Sequence, residues 1–396
     1  MHYSTKARLL LAGAALSLVT GPAFALDGND VVAKINNAMS SQGGAKLSAE
    51  AVSVDGSDVM LKNAKLSADA GEFTIPLGNI KLDDVAENNG GYTVETVTFD
   101  NVQMKDEKAN FSASDISISG LVIPANPNGD TLDAVMLYDE AHVGKVVATV
   151  EGKQAFSIDD VNMTSEVADD NASVGFDVKV NGIKADLSMI EDPAAKDSLQ
   201  QLNLTNVDGK ISMVGNWELG SGTIAVEEYA LDFANVGKLD MAFSLSGYTL
   251  DFVRSANETA KAMEANANKE EAQQAANLAM LGLLQRLTFN SAQIRFDDAG
   301  ITKRALDYAG KQQGTSGEQM AQMLKAMTPM VLSQYNIPEL QNMLSAAVNT
   351  YLDKPENLTF TAQPEKGVPF PMIMGAAMGA PNTLPTVLGV KVKAND

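Results

Sequence analysis

The alternation of apolar and polar residues over residues 223–252 constrains the fold of this chain more than any other feature. The apolar positions that stand two apart are Tyr229, Leu231, Phe233, Leu239, Met241, Phe243 and Leu245. Side chains two apart on a strand point to the same side, so the stretch predicts a β-hairpin with one apolar face. Ile224 and Val226 are out of phase with Tyr229, which predicts a β-bulge at the Glu227 and Glu228 pair.

One strand pattern recurs along the chain. It consists of two apolar residues separated by one position, then one variable residue, then Asp or Asn, and then Val. The copies lie at 80–85, 97–102, 156–161, 202–207 and 231–236, with looser copies at 287–292 and 294–299. The pattern indicates a strand that ends where Asp or Asn turns the backbone. The uneven spacing argues against a solenoid and favours a long meander in one sheet. A calcium-binding role for the acidic pairs is the alternative, although no D-x-[DN]-x-[DN]-G loop is present.

The apolar period changes from two to that of a helix after residue 254. Ser255 and Glu258 have the spacing of a capping box, and the helix is predicted to reach about Arg286. A second capping box at Thr315 and Glu318 opens a helix with a methionine stripe. We therefore predict an α+β fold: a long, curved, mostly antiparallel meander with a C-terminal third of amphipathic helices packed on it. The predicted domains are a cleaved signal peptide (1–25), a β-rich domain (26–254) and a helical or mixed domain that continues the sheet (255–396).

The N-terminus has the three parts of a secretory signal peptide. Lys6 and Arg8 are basic, residues 9–19 are apolar, and Ala23-Phe24-Ala25 is a cleavage motif. The apolar stretch is short of the roughly 20 residues that a spanning helix needs. We expect cleavage after Ala25 and a periplasmic protein. An uncleaved N-terminal anchor is the alternative.

Composition excludes several classes of partner and cross-link. The chain has no cysteine, so neither disulfides nor a lipid-modified cysteine can form. The formal charge of −21 repels nucleic acid phosphates, so no nucleic acid partner is expected. Residues 367–390 carry no charge, but four prolines interrupt them. We predict two short buried or groove-lining segments there and no transmembrane span in the mature chain.

Motifs that indicate a reaction are absent from the sequence. His142 is the only histidine after the signal peptide, and no G-x-S-x-G elbow accompanies it. A single histidine without cysteines does not build a zinc site. No phosphate-binding glycine loop is present either. We expect no catalytic residues, no metal and no cofactor, so the protein is predicted not to be an enzyme. A hydrolase that uses His142 with Asp139 or Glu140 is a remote alternative.

Three stretches resemble a known group of proteins. Residues 237–250, 295–314 and 354–370 are similar to phrases in the AsmA-like and YdgA-like β-rich envelope proteins of Gram-negative bacteria. The resemblance implies a long curved sheet with an apolar trough that serves phospholipid traffic or outer-membrane upkeep. AsmA-like proteins usually keep an N-terminal membrane anchor, and the cleavage motif at Ala23-Phe24-Ala25 departs from that pattern.

We therefore expect a soluble periplasmic, non-enzymatic protein that binds phospholipid or another apolar envelope ligand and supports the cell envelope. The predicted ligand-lining residues are Tyr229, Leu231, Phe233, Met241, Phe243, Leu245, Met320, Met323 and Met327. Methionine adapts to varied apolar ligands, although ordinary helix packing also explains the stripe on the second helix. The alternative function is a scaffolding module that binds another envelope protein through a strand edge or through the methionine-rich helices.

Overall fold

A computed structural model describes residues 26–42, 44–68, 74–129, 131–265, 269–334 and 337–396. The predicted signal peptide, residues 1–25, lies outside the described residues, and its cleavage stays a prediction. The domain boundary at 254/255 also stays a prediction.

Twenty strands form within the described residues. They are β1 (Ala45–Ser48), β2 (Ala51–Asp55), β3 (Asp58–Ala68), β4 (Thr74–Asn88), β5 (Gly91–Phe99), β6 (Val102–Lys105), β7 (Ala109–Ala113), β8 (Ile116–Ile123), β9 (Glu140–Val143), β10 (Val146–Val150), β11 (Lys153–Ile158), β12 (Asp160–Val167), β13 (Ser173–Asp186), β14 (Asn206–Glu218), β15 (Thr223–Phe233), β16 (Gly237–Ser246), β17 (Thr288–Asp298), β18 (Asn357–Ala362), β19 (Val368–Pro369) and β20 (Val390–Ala394).

Nine α-helices form within the same residues. They are α1 (Gly28–Gln42), α2 (Pro193–Gln201), α3 (Leu250–Ala265), α4 (Lys269–Leu284), α5 (Ile301–Gln312), α6 (Gly317–Ser333), α7 (Pro338–Asp353), α8 (Phe370–Gly379) and α9 (Leu384–Val387). None of the described helices combines the length and the apolarity that crossing a bilayer requires.

The strands form one open antiparallel sheet, which confirms the predicted α+β class. Its main order is β3, β4, β5, β8, β9, β12, β13, β14, β15, β16, β17, β18 and β20. β1 and β2 both pair with β3, and β19 pairs with β17 beyond the end of β18. Most neighbours in the sheet are also neighbours along the chain, which is a meander.

Between β5 and β12 the chain breaks its strands into shorter segments. The additional segments pair with one another and form a second set beside the main order. β6, β7, β10 and β11 form this set, and β11 joins the end of β13. Asp100 and Asp159 lie at two interruptions, where their backbone N–H groups donate to Asn79 and Asn181 on neighbouring strands. Both aspartates belong to copies of the recurring pattern, which ends a strand there as predicted.

Three copies of the pattern differ from this prediction. The copy at 202–207 follows α2 and leads into β14, and the copy at 287–292 lies at the start of β17. The copy at 80–85 lies inside β4, and the strand continues to Asn88. Asp84 takes a φ of 50°, and its backbone N–H donates to the Asp58 carboxylate on β3. An aspartate tolerates this left-handed conformation, so the distortion is absorbed within the strand.

The predicted bulge in β15 is confirmed by the register. Val226 pairs with Phe243, and Tyr229 pairs with Met241. Three residues of β15 therefore span the same distance as two residues of β16. The extra residue returns Tyr229 to the side of the sheet that Val226 occupies.

The largest buried core lies under α1. Val31 and Ile35 of α1 pack on strand residues that are almost fully buried. Those strand residues include Val59, Leu61, Ile80, Leu82, Val94 and Val97. The Asn36 side chain exchanges two hydrogen bonds with the backbone of Leu47, at 2.7 and 2.8 Å, and so fixes α1 on β1.

Helix α3 connects distant parts of the sheet. It follows β16, yet the Asn257 amide donates to Ser41 at 2.6 Å and Lys261 donates to Ser40 at 2.9 Å at the end of α1. α1 contacts β1, β2 and β8. Six strand spacings separate β8 from β16, about 29 Å in a flat sheet. The first two turns of α3 cover only about 11 Å. We conclude that the sheet curls toward the side on which α1 lies.

The C-terminal helices depart from the predicted boundaries. The helix predicted from Ser255 is wrong in its start and its length, because α3 begins at Leu250 and α4 is a separate helix. Thr249 caps α3, accepting from the Phe252 backbone at 3.2 Å. The capping box predicted at Thr315 lies one residue later, at Ser316 and Gln319. α8 has no buried residue, so the burial predicted for that segment is wrong for this helix.

Candidate functional site

Two rows of apolar side chains run across the sheet without interruption. Residues directly opposite each other in an antiparallel pair share a face, so the register shows which side chains line up. The first row is Leu61, Ile80, Phe99, Ile116, Val143, Val161, Val180, Ile211, Leu231, Leu239, Phe296, Leu358 and Ala394. The second row is Val59, Leu82, Val97, Ile118, Ala141, Met163, Val178, Met213, Tyr229, Met241, Ile294, Phe360 and Val392.

Two shorter rows widen this surface in the C-terminal half of the sheet. One contains Phe176, Gly215, Val226, Phe243, Ala292, Ala362 and Val390. The other contains Val174, Trp217, Ile224, Leu245, Phe289 and Val368. We call the four rows together the apolar face. It is the side of the sheet on which α1 packs, and the sheet curls toward it.

Burial changes along the apolar face. Under α1 its side chains are inaccessible, as Leu61 (0% exposed) and Leu82 (1%) show. From β12 to β20 neither of the two long rows contains a fully buried residue. Phe243 is 39% exposed and Ile294 is 48% exposed. A core therefore closes one end of the face, and the other end leaves apolar side chains in contact with solvent.

Glycines let aromatic rings lie close against this surface. A Cβ on Gly215 would stand 2.3 Å from the Phe176 ring, and a Cβ on Gly209 would stand 2.3 Å from the Phe233 ring. Gly237 has the same relation to Phe296, at 2.8 Å. Each ring occupies the space that a side chain on the neighbouring strand would take. The rings consequently remain near the strands and do not project from the apolar face.

The opposite face of the same strands is charged and paired. Lys238 bonds with Asp240 at 2.8 Å, and that carboxylate raises the pKa of the lysine. Arg295 bonds with Asp297 at 2.8 Å and with Asp396 at 2.9 Å. Surface ion pairs of this kind contribute roughly 0 to 1 kcal/mol each. The two faces of the C-terminal sheet thus differ completely in chemistry.

The register brings the predicted strand residues together. Tyr229, Leu231 and Met241 belong to the two long rows, and Phe243 and Leu245 belong to the shorter ones. Phe233 lies on the same face, over Gly209. All six are thus neighbours on one surface, and whether they bind a ligand stays a prediction.

The predicted methionines lie on a different element. α6 packs against α5 and α7, and α7 runs along β18 and β20. Met320 is 3% exposed, whereas Met323 is 38% exposed and Met327 is 46% exposed. One of the three is therefore helix core, and the other two face solvent on α6.

Other residues of the apolar face were missed by reasoning on the hairpin alone. Ile294 and Phe296 on β17 and Phe360 on β18 continue its rows. The recurring strand pattern contained the signal, because the copies at 80–85, 97–102 and 294–299 supply residues to both long rows. The pattern showed which residues share a face within each strand, and only the register shows that the strands align.

His142 lies on the charged side of the sheet, on β9. Its Nε2 is 2.8 Å from the Asp160 carboxylate, and its Nδ1 is 3.8 Å from the Asp115 carboxylate. Among the described residues no hydroxyl forms a hydrogen bond with this ring. A serine hydrolase needs a nucleophile bonded to the histidine. The geometry here is a histidine between two carboxylates.

A polar cavity of about 640 Å³ opens beside the apolar face, between α1, α3 and the segment after β8. Its lining includes Asn37, Asn126, Asn257 and Lys261. The lysine already donates to the backbone oxygen of Ser40. In the part of the chain that the structure describes, no group of three or more His, Cys, Asp or Glu side chains is placed to hold a metal ion.

Comparison with known proteins gives one family match. A family model described as "Uncharacterized protein" matches residues 230–395. The matched segment begins in β15 and contains the later strands and the helices from α3 onward. No curated protein matches the chain. The match thus covers the end of β15, the strands from β16 to β20 and the helices from α3 onward, and it leaves β12 to β14 of the exposed part of the face outside.

Proposed function

We propose that this protein is a periplasmic, non-enzymatic protein that binds the acyl chains of phospholipid, or another apolar envelope ligand, along its apolar face. The observation that carries the proposal is the pair of apolar rows across thirteen strands. The core under α1 explains the apolar rows on the first strands of the sheet only. It does not explain why the later strands carry apolar side chains on the same face. A contiguous exposed apolar surface normally has a binding role.

The mechanism is the transfer of methylene groups from water to the sheet. Each buried methylene contributes about 0.8 kcal/mol, so a chain of several methylenes provides substantial affinity without a polar contact. The curl of the sheet lets residues from several strands surround one chain. The flat rings of Phe176, Phe233 and Phe296 favour this arrangement because they leave space above the strands. A role in envelope phospholipid traffic agrees with the resemblance to AsmA-like and YdgA-like proteins.

The first test is to express the full chain in a Gram-negative periplasm, purify it without detergent, and extract it for lipid mass spectrometry. The proposal predicts stoichiometric phospholipid or another apolar molecule. A folded protein that yields no such molecule would contradict it. The N-terminus of the purified protein, read by intact mass, tests cleavage after Ala25.

A matched pair of substitutions on β16 locates the ligand. Phe243→Asp places a charge on the apolar face at a side chain that is already 39% exposed, so the fold should persist. The neighbouring Ala242→Asp places the same charge on the opposite face. We expect Phe243→Asp to lose most of the bound lipid and Ala242→Asp to keep it. Equal lipid content in both folded variants would exclude this face.

A second candidate function is a scaffolding module that binds another envelope protein through α6. The exposure of Met323, Leu324 and Met327, each more than one third accessible, favours it. Met323→Ser combined with Met327→Ser should then abolish capture of that partner and leave lipid content unchanged. If the double substitution changes neither partner capture nor lipid content, the scaffolding role of α6 is wrong.

A further inference from the structure

A group of large apolar side chains stands exposed on helices at one end of the strands, away from the rows of the apolar face. Its members are Leu278, Met280 and Leu281 of α4, Met330 of α6, and Met372 and Met378 of α8. Their exposed fractions run from 45% to 89%. We call this group the apolar tip.

Helices α4 and α8 meet at that end of the sheet. Leu283 and Leu284 of α4 and Phe370 of α8 belong to one small cluster with Phe252 of α3. The Phe370 backbone N–H donates to Leu287 at 3.0 Å, immediately before β17 begins. The exposed residues of α4 and α8 lie one or two helical turns from this cluster. They are therefore at the same end of the strands as the cluster.

The end of α6 is located by the helix that follows it. Glu339 in the first turn of α7 accepts a hydrogen bond from Thr386 of α9 at 3.0 Å. α9 leads into Val390, which pairs with Ala362 at the same end of β18. Ser333 ends α6 only a few residues before α7 begins, so Met330 belongs to this end of the molecule too.

The tip is free of charge in a strongly charged protein. Residues 272–285, 326–338 and 367–390 contain no Asp, Glu, Lys or Arg, whereas one residue in five of the chain is charged. The overall formal charge is −21. The tip segments thus bring no carboxylate of their own against an anionic layer, and two carboxylates at this end of the strands, Glu339 and Asp251, are bonded to Thr386 and Arg286.

We infer that the apolar tip docks on the surface of a lipid bilayer. A bilayer accepts apolar side chains of any shape, which suits flexible methionines on three separate helices. Protein interfaces usually depend on Trp, Tyr or Arg anchors, and none of the six tip residues is of those types. Docking would present one end of the apolar face to the membrane. The inference does not require that the apolar face hold a ligand.

The test is flotation of the purified full chain with vesicles of phosphatidylethanolamine and phosphatidylglycerol. The tip variant combines Leu278→Ser, Met372→Ser and Met378→Ser, all at side chains more than half exposed, so the fold should survive. The matched control is Met104→Ser on β6, which is 37% exposed at the other end of the strands. We expect the wild-type chain to float, the control to float equally, and the tip variant to bind at least about tenfold more weakly.

Salt and the apolar-face variant separate this inference from its alternatives. Binding through an uncharged tip should not weaken as salt rises, and Phe243→Asp should float like the wild type even if it loses lipid. A wild-type chain that does not float, or a tip variant that floats equally well, would overturn the inference. If the wild type self-associates and the tip variant is a monomer that never binds vesicles, the tip is an interface between copies and the inference is wrong.

Discussion

Individual glycines decide how the apolar face is shaped. Gly215 faces the Phe176 ring, and a Cβ there would also stand 2.6 Å from the Ala225 backbone oxygen. Glycine normally weakens a strand because it leaves no side chain to pack. Here an aromatic ring from the next strand fills the space, so the weakness is offset by ring burial.

This arrangement predicts the effect of adding one methyl group. Gly215→Ala should lower the free energy of unfolding by about 1 to 3 kcal/mol, because neither the ring nor the backbone can move freely. The control is Gly175→Ala on β13, where the nearest atom is 3.8 Å away. Urea unfolding measures both variants. Equal midpoints would show that the Phe176 ring does not depend on Gly215.

Tyr92 joins α1 to the sheet by a hydrogen bond. Its hydroxyl donates to the Asp30 carboxylate at 2.7 Å, and the residue is 7% exposed. Burial, followed by the bond to Asp30, raises the pKa of Tyr92 to about 12. The neutral phenol is therefore favoured in the folded state.

The sign of this shift predicts loss of stability at alkaline pH. The contribution of the buried neutral phenol to the free energy of unfolding is complete below the unfolded-state pKa of about 10. It is lost as the pH rises toward the folded-state pKa. It amounts to at most about 3 kcal/mol. The difference in unfolding free energy between wild type and Tyr92→Phe should shrink between about pH 10 and pH 12. A difference that stays constant over that range would show that Tyr92 does not titrate as described.

At the scale of the element, the bulge in β15 keeps the strand's apolar residues on one side. Because Val226 and Tyr229 are three apart, a regular strand would put Tyr229 and Leu231 on the charged side whenever Ile224 and Val226 face the apolar side. Deletion of Glu227 removes the extra residue and leaves Val226 and Tyr229 two apart, so the fold should persist. Deletion of Ala230 instead puts Tyr229 and Leu231 on opposite faces and should cost more than about 4 kcal/mol or prevent folding. Circular dichroism and thermal unfolding compare the two deletions. Similar stability of the two deletions would mean that the register tolerates slippage.

The sequence predicted those elements whose sequence signals lie within the element itself. Alternation at Tyr229 and Leu231 gave the strands and the bulge, because the period of two is a property of each strand by itself. The start of α3 was missed because the signal at Ser255 and Glu258 competes with Thr249, whose hydroxyl caps the helix three residues after β16 ends. Alignment of Leu231 with Phe296 could not be predicted, since it depends on hydrogen bonds between segments separated by two helices.

At the scale of the whole molecule, the sheet changes from a closed core to an exposed surface. α1 covers one end of the apolar face, and the charged pairs of Lys238 and Arg295 occupy the other side of the strands. The hydrogen bonds from α3 to α1 hold the curl. Of the later helices, α7 lies against β18 and β20, whereas α5 contacts α2 and donates from Arg304 to Asn235 in the turn after β15. Phe243 and Ile294 on the apolar face remain exposed. This arrangement gives an apolar ligand a surface that the fold itself does not fill.

The central claim is that acyl chains lie on the apolar face, and photo-crosslinking tests it most directly. A phospholipid with a photoreactive group on its acyl chain would be bound to the purified protein, irradiated, and the adducts mapped by peptide mass spectrometry. The account predicts adducts on residues of the long rows, such as Met241 and Ile294, and none on their neighbours Ala242 and Arg295. Adducts confined to the helices, or spread equally over both faces of β16 and β17, would contradict it.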